Sequence, residues 1–500
     1  MREADKVVPF GEWLPDMPSL NNPGLTEAKN VVPADGVYKP YLGANGSPGA
    51  LVGRPYGAIS VFDSSGSGFL YAGTLDKIYV RAGNAFTSKF AGTYTTAAAG
   101  YWQFVQFDEF VIGTNYANRP QSLVVASGSD FANLATTGTA PFARCLGVIG
   151  RFVVLGDTNL AAVTPNGLQW CAIDDPQNWP TPGSGAAQSV QAGEQFLNLA
   201  YGPVTAIAGG QEFGIIFQRQ GITRMSYVGG NVVFQFDVIE KNRGALFPNA
   251  VVQIGRLTYF ASGDGFYVTD GVDVKPIGDK KVDNYFADSV DTNYKERVYG
   301  AVDYANKCIY WTYTSRTAGG IGVPDSVLIY NYVEGRWSRA TDSSWVTVTG
   351  FTAAITLDEM DTYFASLDLV TPSLDSDVWK GGNNTILGFD GAYRLSTFST
   401  SAFPALIDGG EVEIVPGRLV RMQGVKPLVI GTAPTLTVSL GTRDSLGASV
   451  TYTTARTPNS RTGFADFRAE ARYHRVRLTI DGNFESALGV EYQAVESAVA

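Results

Sequence analysis

Few residues in this 500-residue chain are of types and spacings that suggest chemistry. They are a single histidine, His474, three scattered cysteines, Cys145, Cys171 and Cys308, and the close carboxylates Asp375 and Asp377. A nucleophilic triad would need the histidine as its base. His474 shares parity with Val476, Leu478 and Ile480 in an alternating run, which points it inward at the start of a strand. No G-x-S-x-G elbow is present to supply a nucleophile. The cysteines are too few and too far apart for a disulfide framework or a zinc site, and they read as buried apolar residues. Asp375-Ser376-Asp377 lacks the further ligands of a calcium loop and reads as a solvated loop. A G-x-x-x-x-G-K-[ST] phosphate loop and an H-E-x-x-H zinc motif are also missing. The expectation is a protein that is not an enzyme, with no catalytic, cofactor-binding or metal-binding residues.

The elements around these residues are short strands. Gly255 to Gly271, GRLTYFASGDGFYVTDG, reads as two strands joined by a turn at Ser262–Gly265, because Asp-Gly between aromatic and β-branched runs signals a hairpin. Similar runs begin at Phe69, Phe110, Phe152, Phe213, Leu257, Cys308 and Thr362, at spacings of 41, 42, 61, 44, 51 and 54 residues. A repeat of about 40–50 residues built of short strands indicates β-propeller blades. Asn166-Gly167 marks a further hairpin, and 385–391 and 393–398 are candidates for a strand that closes the ring. One short helix is expected, with Val282, Tyr285, Phe286 and Val290 on one face.

The fold expected is all-β, an irregular propeller of about six to eight blades over residues 53–400, followed by a C-terminal β-sandwich over 401–500. In the latter, Arg475 to Ile480 puts Val, Leu and Ile on one face and Arg and Thr on a wet one. Residues 1–52 are Pro-punctuated, with Phe10, Trp13, Leu14 and Leu20 spread along them. They read as an arm that closes the propeller or reaches a neighbouring subunit.

The net charge of −10 lies wholly in residues 1–400, which carry 27 Lys/Arg against 37 Asp/Glu, whereas 401–500 carry ten of each. An acidic body repels nucleic acid from its bulk surface, although one that must slide past without sticking is compatible with it. No uncharged apolar stretch is long enough for a membrane span, and MREADK is too polar to begin a signal peptide. A soluble protein made in a cytoplasm is expected.

Several segments carry a family resemblance. The run RGALFPNAVVQIGRLTYFASGDGFYVTDGVDVKPIGDKKVDNYF resembles tail proteins of tailed phages, especially short-tailed ones. So do PFGEWLPDMPSLNNPGLTEAKNVVP, the Asn115–Gln121 segment, DDPQNW at Asp174, SVLIYNYVEGRW at Ser326, and GTRDSLG with ARYHRVRLTI near the end. The family resembled is the tail nozzle and packaged-DNA stabilisation proteins. It implies a homo-oligomeric ring of propellers, a hexamer, in the virion tail. Its partners would be adaptor and fibre proteins and, in transit, double-stranded DNA. The resemblance implies a role in closing the DNA channel, retaining the genome and ejecting it, and it brings no catalytic residues. The alternatives are a host-binding propeller adhesin, a tail adaptor or hub, and a propeller glycoside hydrolase whose carboxylates meet only in space. The run from Ser262 to Phe266 departs from the repeated turn of propeller sialidases.

A ring that holds and releases DNA needs a wall that does not condense onto phosphates, so closure would come from loop geometry. The long insertion from Asp174 to Gln195 has no Lys or Arg and contains Gly and Pro that could re-aim it. Asp174, Asp175, Pro176, Trp179 and Glu194 are therefore the candidate channel or gate loop. The competing reading is an external loop against a neighbouring tail protein.

Overall fold

Short strands cannot satisfy their own backbone groups, so each must pair, and here they pair with their sequence neighbours. The computed structural model describes residues 3–90, 92–97, 100–230, 232–319, 322–351 and 384–497. Strand accounts for 53% and helix for 5%. Six four-stranded antiparallel sheets, together with four antiparallel strands of a ten-stranded sheet, form the seven blades of a β-propeller. Their inner strands are Gly57–Phe62, Gln103–Phe107, Phe142–Ile149, Val204–Ala208, Val252–Ile254, Tyr299–Asp303 and Thr347–Phe351. Most of these touch the inner strand of the next blade, and the last touches the first. Between the fourth and fifth, the turn Pro248–Ala250 fills the gap.

Six of the seven spaced runs are the second strands of successive blades: Gly68–Gly73, Phe110–Thr114, Phe152–Asn159, Phe213–Gln218, Leu257–Ala261 and Cys308–Tyr313. The Thr362 run and the Asp375–Asp377 pair lie outside the described residues. The seventh blade instead takes Asn384–Phe389 as its second strand and Arg394–Ala402 as its third. Both had been candidates for ring closure. The closing strand itself is Leu42–Ala50, which pairs antiparallel with Arg394–Ala402 as the outermost strand of that blade.

The turns explain the register. Gly150 and Gly255 take φ of 56° and 60° as the first residue of two-residue hairpins, where a β-carbon is disfavoured. Asn166-Gly167 differs from the expectation. It lies inside the strand Val163–Trp170, which pairs with Phe152–Asn159 across a register shift between Gly156 and Thr158. A β-carbon on Gly167 would sit 2.7 Å from Thr158 Oγ1, so this glycine serves close packing rather than a turn.

The sheet of the sixth blade continues beyond the propeller. Arg336–Thr341 meets Leu25–Lys29 through a single parallel bridge, Lys29 to Arg339. The sheet then runs through Ala405–Gly409, Tyr473–Asp481, Thr435–Arg443 and Thr451–Tyr452. A second sheet holds Val31–Ala34, Val37–Pro40, Ser486–Glu496, Val420–Ile430 and Ala465–Ala471, with Glu3–Pro9 also paired to Ser486–Glu496. The two sheets form the sandwich. Val438, Leu440, Leu478 and Ile480 of one and Val420, Met422, Val425 and Phe467 of the other belong to one apolar cluster. That cluster also includes Phe266, Trp311 and Trp337 of the fifth and sixth blades.

Residues 10–29 form a strap over the junction. Trp13 is buried edge-on against Tyr285 at 5.0 Å, and Lys281 Nζ meets Glu12 Oε1 at 2.7 Å. Both Asp16 carboxylate oxygens accept, at 2.8 Å, from the amides of Asn284 and Tyr285 in the first turn of the helix Asp283–Ser289. That helix buries Phe286, and Val282 and Val290 at its two ends are buried with it.

The arginine face of Tyr473–Asp481 is not simply wet. Arg475 Nε and Arg477 Nη2 each lie 2.8 Å from the carboxylate of Asp408, whose side chain is 1% exposed. Tyr452 Oη donates to the same carboxylate at 2.7 Å, and Arg475 also reaches Thr26 Oγ1 on the strap. Removing one partner of a buried charge cluster leaves the others uncompensated and costs about 3–5 kcal/mol. Asp408→Ala is therefore expected to lower unfolding stability by that amount in denaturant titration. A loss below about 1 kcal/mol, the range of exposed ion pairs, would contradict the assignment.

Candidate functional site

The inner strands enclose a cavity of about 350 Å³ along the propeller axis. Its polar lining includes Gln103, Asn249, Gln253 and Thr347, and none of its lining residues carries a formal charge. That volume holds on the order of ten waters. Gln103 Nε2 donates to Asn249 Oδ1 at 3.2 Å, joining the second blade to the turn ahead of the fifth. These blades are not neighbours, so the bond crosses the ring. Asn249 Nδ2 donates in turn to the carbonyl of Glu296 at 2.7 Å. The axis of one propeller is thus bridged and far too narrow for a duplex. Residues 146 positions apart make this bridge, and no local sequence signal marks either.

The candidate gate residues lie elsewhere, and none of the five lines the cavity. The insertion links the third strand of the third blade to its outermost strand, Gly193–Phe196. Asp174 takes a positive φ of 58° and pairs with Arg151 in the hairpin between that blade's first two strands. Asp175 is exposed and accepts from the amide of Gln177 at 3.1 Å. Pro176 is buried, and its carbonyl accepts from Trp179 Nε1 at 2.7 Å. Trp179, also buried, lies in the short strand Asn178–Trp179, which pairs in parallel with Thr137–Gly138 ahead of the blade. Glu194 is exposed on the outermost strand.

The structure therefore brings Asp174, Asp175, Pro176 and Trp179 into one anchored turn, while Glu194 projects from the blade's edge. Beyond Trp179 the mostly exposed tip is 181–186, ending in a helical turn where Ser184 Oγ accepts from the amide of Ala187.

The other residues with chemical potential are enclosed. His474 is buried, and its Nε2 lies 2.9 Å and 3.0 Å from the carbonyls of Val420 and Ala471, which requires that nitrogen to carry the proton. All three cysteines are free and buried, and burial pushes the Cys171 thiol up to about 12. Among the described residues, no group of three or more His, Cys, Asp or Glu side chains is placed to hold a metal ion. No helix among them is long and apolar enough to cross a membrane.

No family model matches the chain, and no curated protein matches it. Solved structures similar to it include a computationally designed protein, Ika8, at 10% identity and TM-score 0.37, covering 71% of this chain and 100% of that one. A chain in a crystal structure of a mitotic checkpoint complex matches at 10% identity and TM-score 0.40, covering 74% and 94%. PorZ, a surface component of the type-IX secretion system of Porphyromonas gingivalis, matches at 8% and 0.36, covering 73% and 38%. Likenesses this distant carry no functional argument.

The buried histidine sets a pH dependence. Burial holds its imidazole below the ordinary histidine range, against the pull of the two carbonyls. Its neutral form is favoured in the fold, so the contribution is complete above about pH 6.5 and is lost as pH falls below that value. Asp283, pushed up to about 6 by burial and then by Asp16, Asp279 and Asp264, contributes the opposite slope. Comparison with His474→Gln separates the two. Between pH 7.5 and 5.5 the wild type is expected to lose more melting temperature than the variant, and equal losses would contradict the neutral, buried assignment.

Proposed function

We propose that this chain is a structural component of a phage tail, a subunit of the nozzle ring that closes the DNA channel, retains the packaged genome and takes part in its ejection. The observation that carries the reading is where four of the family-like segments meet in space. PFGEWLPDMPSLNNPGLTEAKNVVP contains the strap, and RGALFPNAVVQIG to VDNYF covers the fifth blade and the first turn of the helix that the strap caps. SVLIYNYVEGRW forms the outer half of the sixth blade, where Arg336 donates to the carbonyls of Phe10 and Gly11. ARYHRVRLTI supplies Arg475 and Arg477 to Asp408, beside Thr26. Segments hundreds of residues apart thus build one junction between propeller and sandwich. A shared junction is the kind of feature that a family of rigid ring subunits would keep in common.

In this reading the duplex runs through the space enclosed by a ring of subunits, a hexamer, because the propeller's own axis is bridged. The acidic balance of residues 1–400 keeps phosphates from condensing on the wall. The gate would be the tip at 181–186, carried on the turn that Trp179 anchors. Adaptor and fibre proteins would contact the outer surfaces, and the role requires no catalysis.

Cryo-electron microscopy of purified particles tests both parts. A ring of propeller–sandwich units around the tail axis, with the 181–186 tips facing the lumen, is the expected result. Tips facing outward would remove the gate from the account. A chain found at fibre ends, or missing from the particle, would overturn the nozzle reading.

A further inference from the structure

The wall of the axial cavity holds a polar group that the fold leaves unused. At two places on the axis, a side chain of one inner strand satisfies the backbone of its neighbour. Thr349 Oγ1 accepts from the amide of Val302 at 2.7 Å, and Gln106 Nε2 donates to the carbonyl of Phe62 at 2.6 Å. Thr347 lies two residues before Thr349 on the same strand, and so on the same side of it. It lines the cavity and is 2% exposed, yet its Oγ1 has no hydrogen-bond partner in the chain. A buried hydroxyl is costly to leave unpaired, so this one marks the cavity as a place for a molecule that can meet it.

Other polar groups approach from different blades. Gln103 comes from the second and Gln253 from the fifth, whereas Thr347 comes from the seventh. The bond from Gln103 to Asn249 uses one amide hydrogen, and a glutamine side chain has a second and a carbonyl oxygen besides. Phe104, Leu146 and Val348 supply apolar wall between them. The cavity also has a way in. Gly209 and Gln253 line both it and a second pocket of about 260 Å³ at the hairpins of the fourth and fifth blades. Gln253 is exposed and stands between the two spaces.

We propose that the axial cavity binds a small uncharged ring bearing several hydroxyls, a cyclic polyol or neutral monosaccharide. Its volume of about 350 Å³ falls within the range of about 300–1,000 Å³ typical of ligand sites. An ion would lose its hydration in a space whose lining carries no charge to replace it, and an apolar molecule would leave the hydroxyl and the amides unpaired. A hydroxyl both donates and accepts, so it can meet Thr347 and either end of an amide. Hydroxyls set around one ring reach polar groups on three blades at once, while the C–H faces of the ring lie against the apolar wall. The proposal does not rest on the tail reading, since binding is read on the isolated chain.

Isothermal titration calorimetry with myo-inositol and glucose tests it, with glucuronate, glucosamine and cyclohexanol for comparison. At least one of the two neutral polyols is expected to bind saturably at one site per chain. The anionic, cationic and singly hydroxylated relatives should each bind at least tenfold more weakly. Thr347→Val keeps the shape and removes the hydroxyl, so it should weaken binding about three- to tenfold, the net worth of one hydrogen bond. The same change removes an unpaired buried group, so the melting temperature of the free protein should stay level or rise. Gln253→Leu, at the exposed mouth, should weaken binding by a similar factor with the melting temperature unchanged. No saturable binding of either polyol, or a charged relative or cyclohexanol binding as tightly, would overturn the proposal. Undiminished binding by folded Thr347→Val and Gln253→Leu proteins would overturn the location.

Discussion

The carboxylate of Asp408 is buried where it can be tolerated only if several distant parts of the chain are in place. Arg475 and Arg477 reach it from one neighbouring strand, Tyr452 from the far side of the same sheet, and Thr26 closes around Arg475 from the strap. An isolated carboxylate in this position would cost several kcal/mol in lost solvation. The cluster therefore couples the sandwich to residues that also cover the propeller. Glu27 and Arg339 repeat the device one step along the sheet, in a bidentate pair at 2.6 Å and 2.7 Å. The ten-stranded sheet crosses from propeller to sandwich at this point, through only one backbone bridge. Side-chain charge strengthens what the ladder alone would leave weak.

A propeller must also close its ring. Here the outermost strand of the last blade comes from Leu42–Ala50, so the first and last parts of the propeller's sequence share a sheet. The same N-terminal region has already paired with the sandwich through Glu3–Pro9 and Val37–Pro40 and covered the junction with Trp13. Opening the ring therefore means pulling this whole segment from three sheets. Such an arrangement suits a part that bears load without changing shape.

The hairpins of the blades were legible because their signals are local. Turn residues and apolar runs lie within about ten positions of each other, as at Asp108, Gly255 and Gly265. The ring-closing strand was harder to read. LGANGSPGA has no apolar alternation, since an outermost strand is half exposed and its partner lies about 350 residues away. The arginines of Tyr473–Asp481 read as a wet face because nothing near them in sequence announces Asp408. Asn166-Gly167 read as a turn because its composition fits one, while the register shift that uses it lies on another strand. For the candidate site, the insertion and its anchoring tryptophan were visible in composition. The bridge between Gln103 and Asn249 arises only from ring closure, which brings non-neighbouring segments together.

The central claim is that the N-terminal segment fastens propeller and sandwich into one mechanical unit. Differential scanning calorimetry of the intact chain tests it most directly. One transition whose calorimetric and van't Hoff enthalpies agree is the result expected of a single cooperative unit. Two separable transitions, one for the propeller and one for the sandwich, would contradict it.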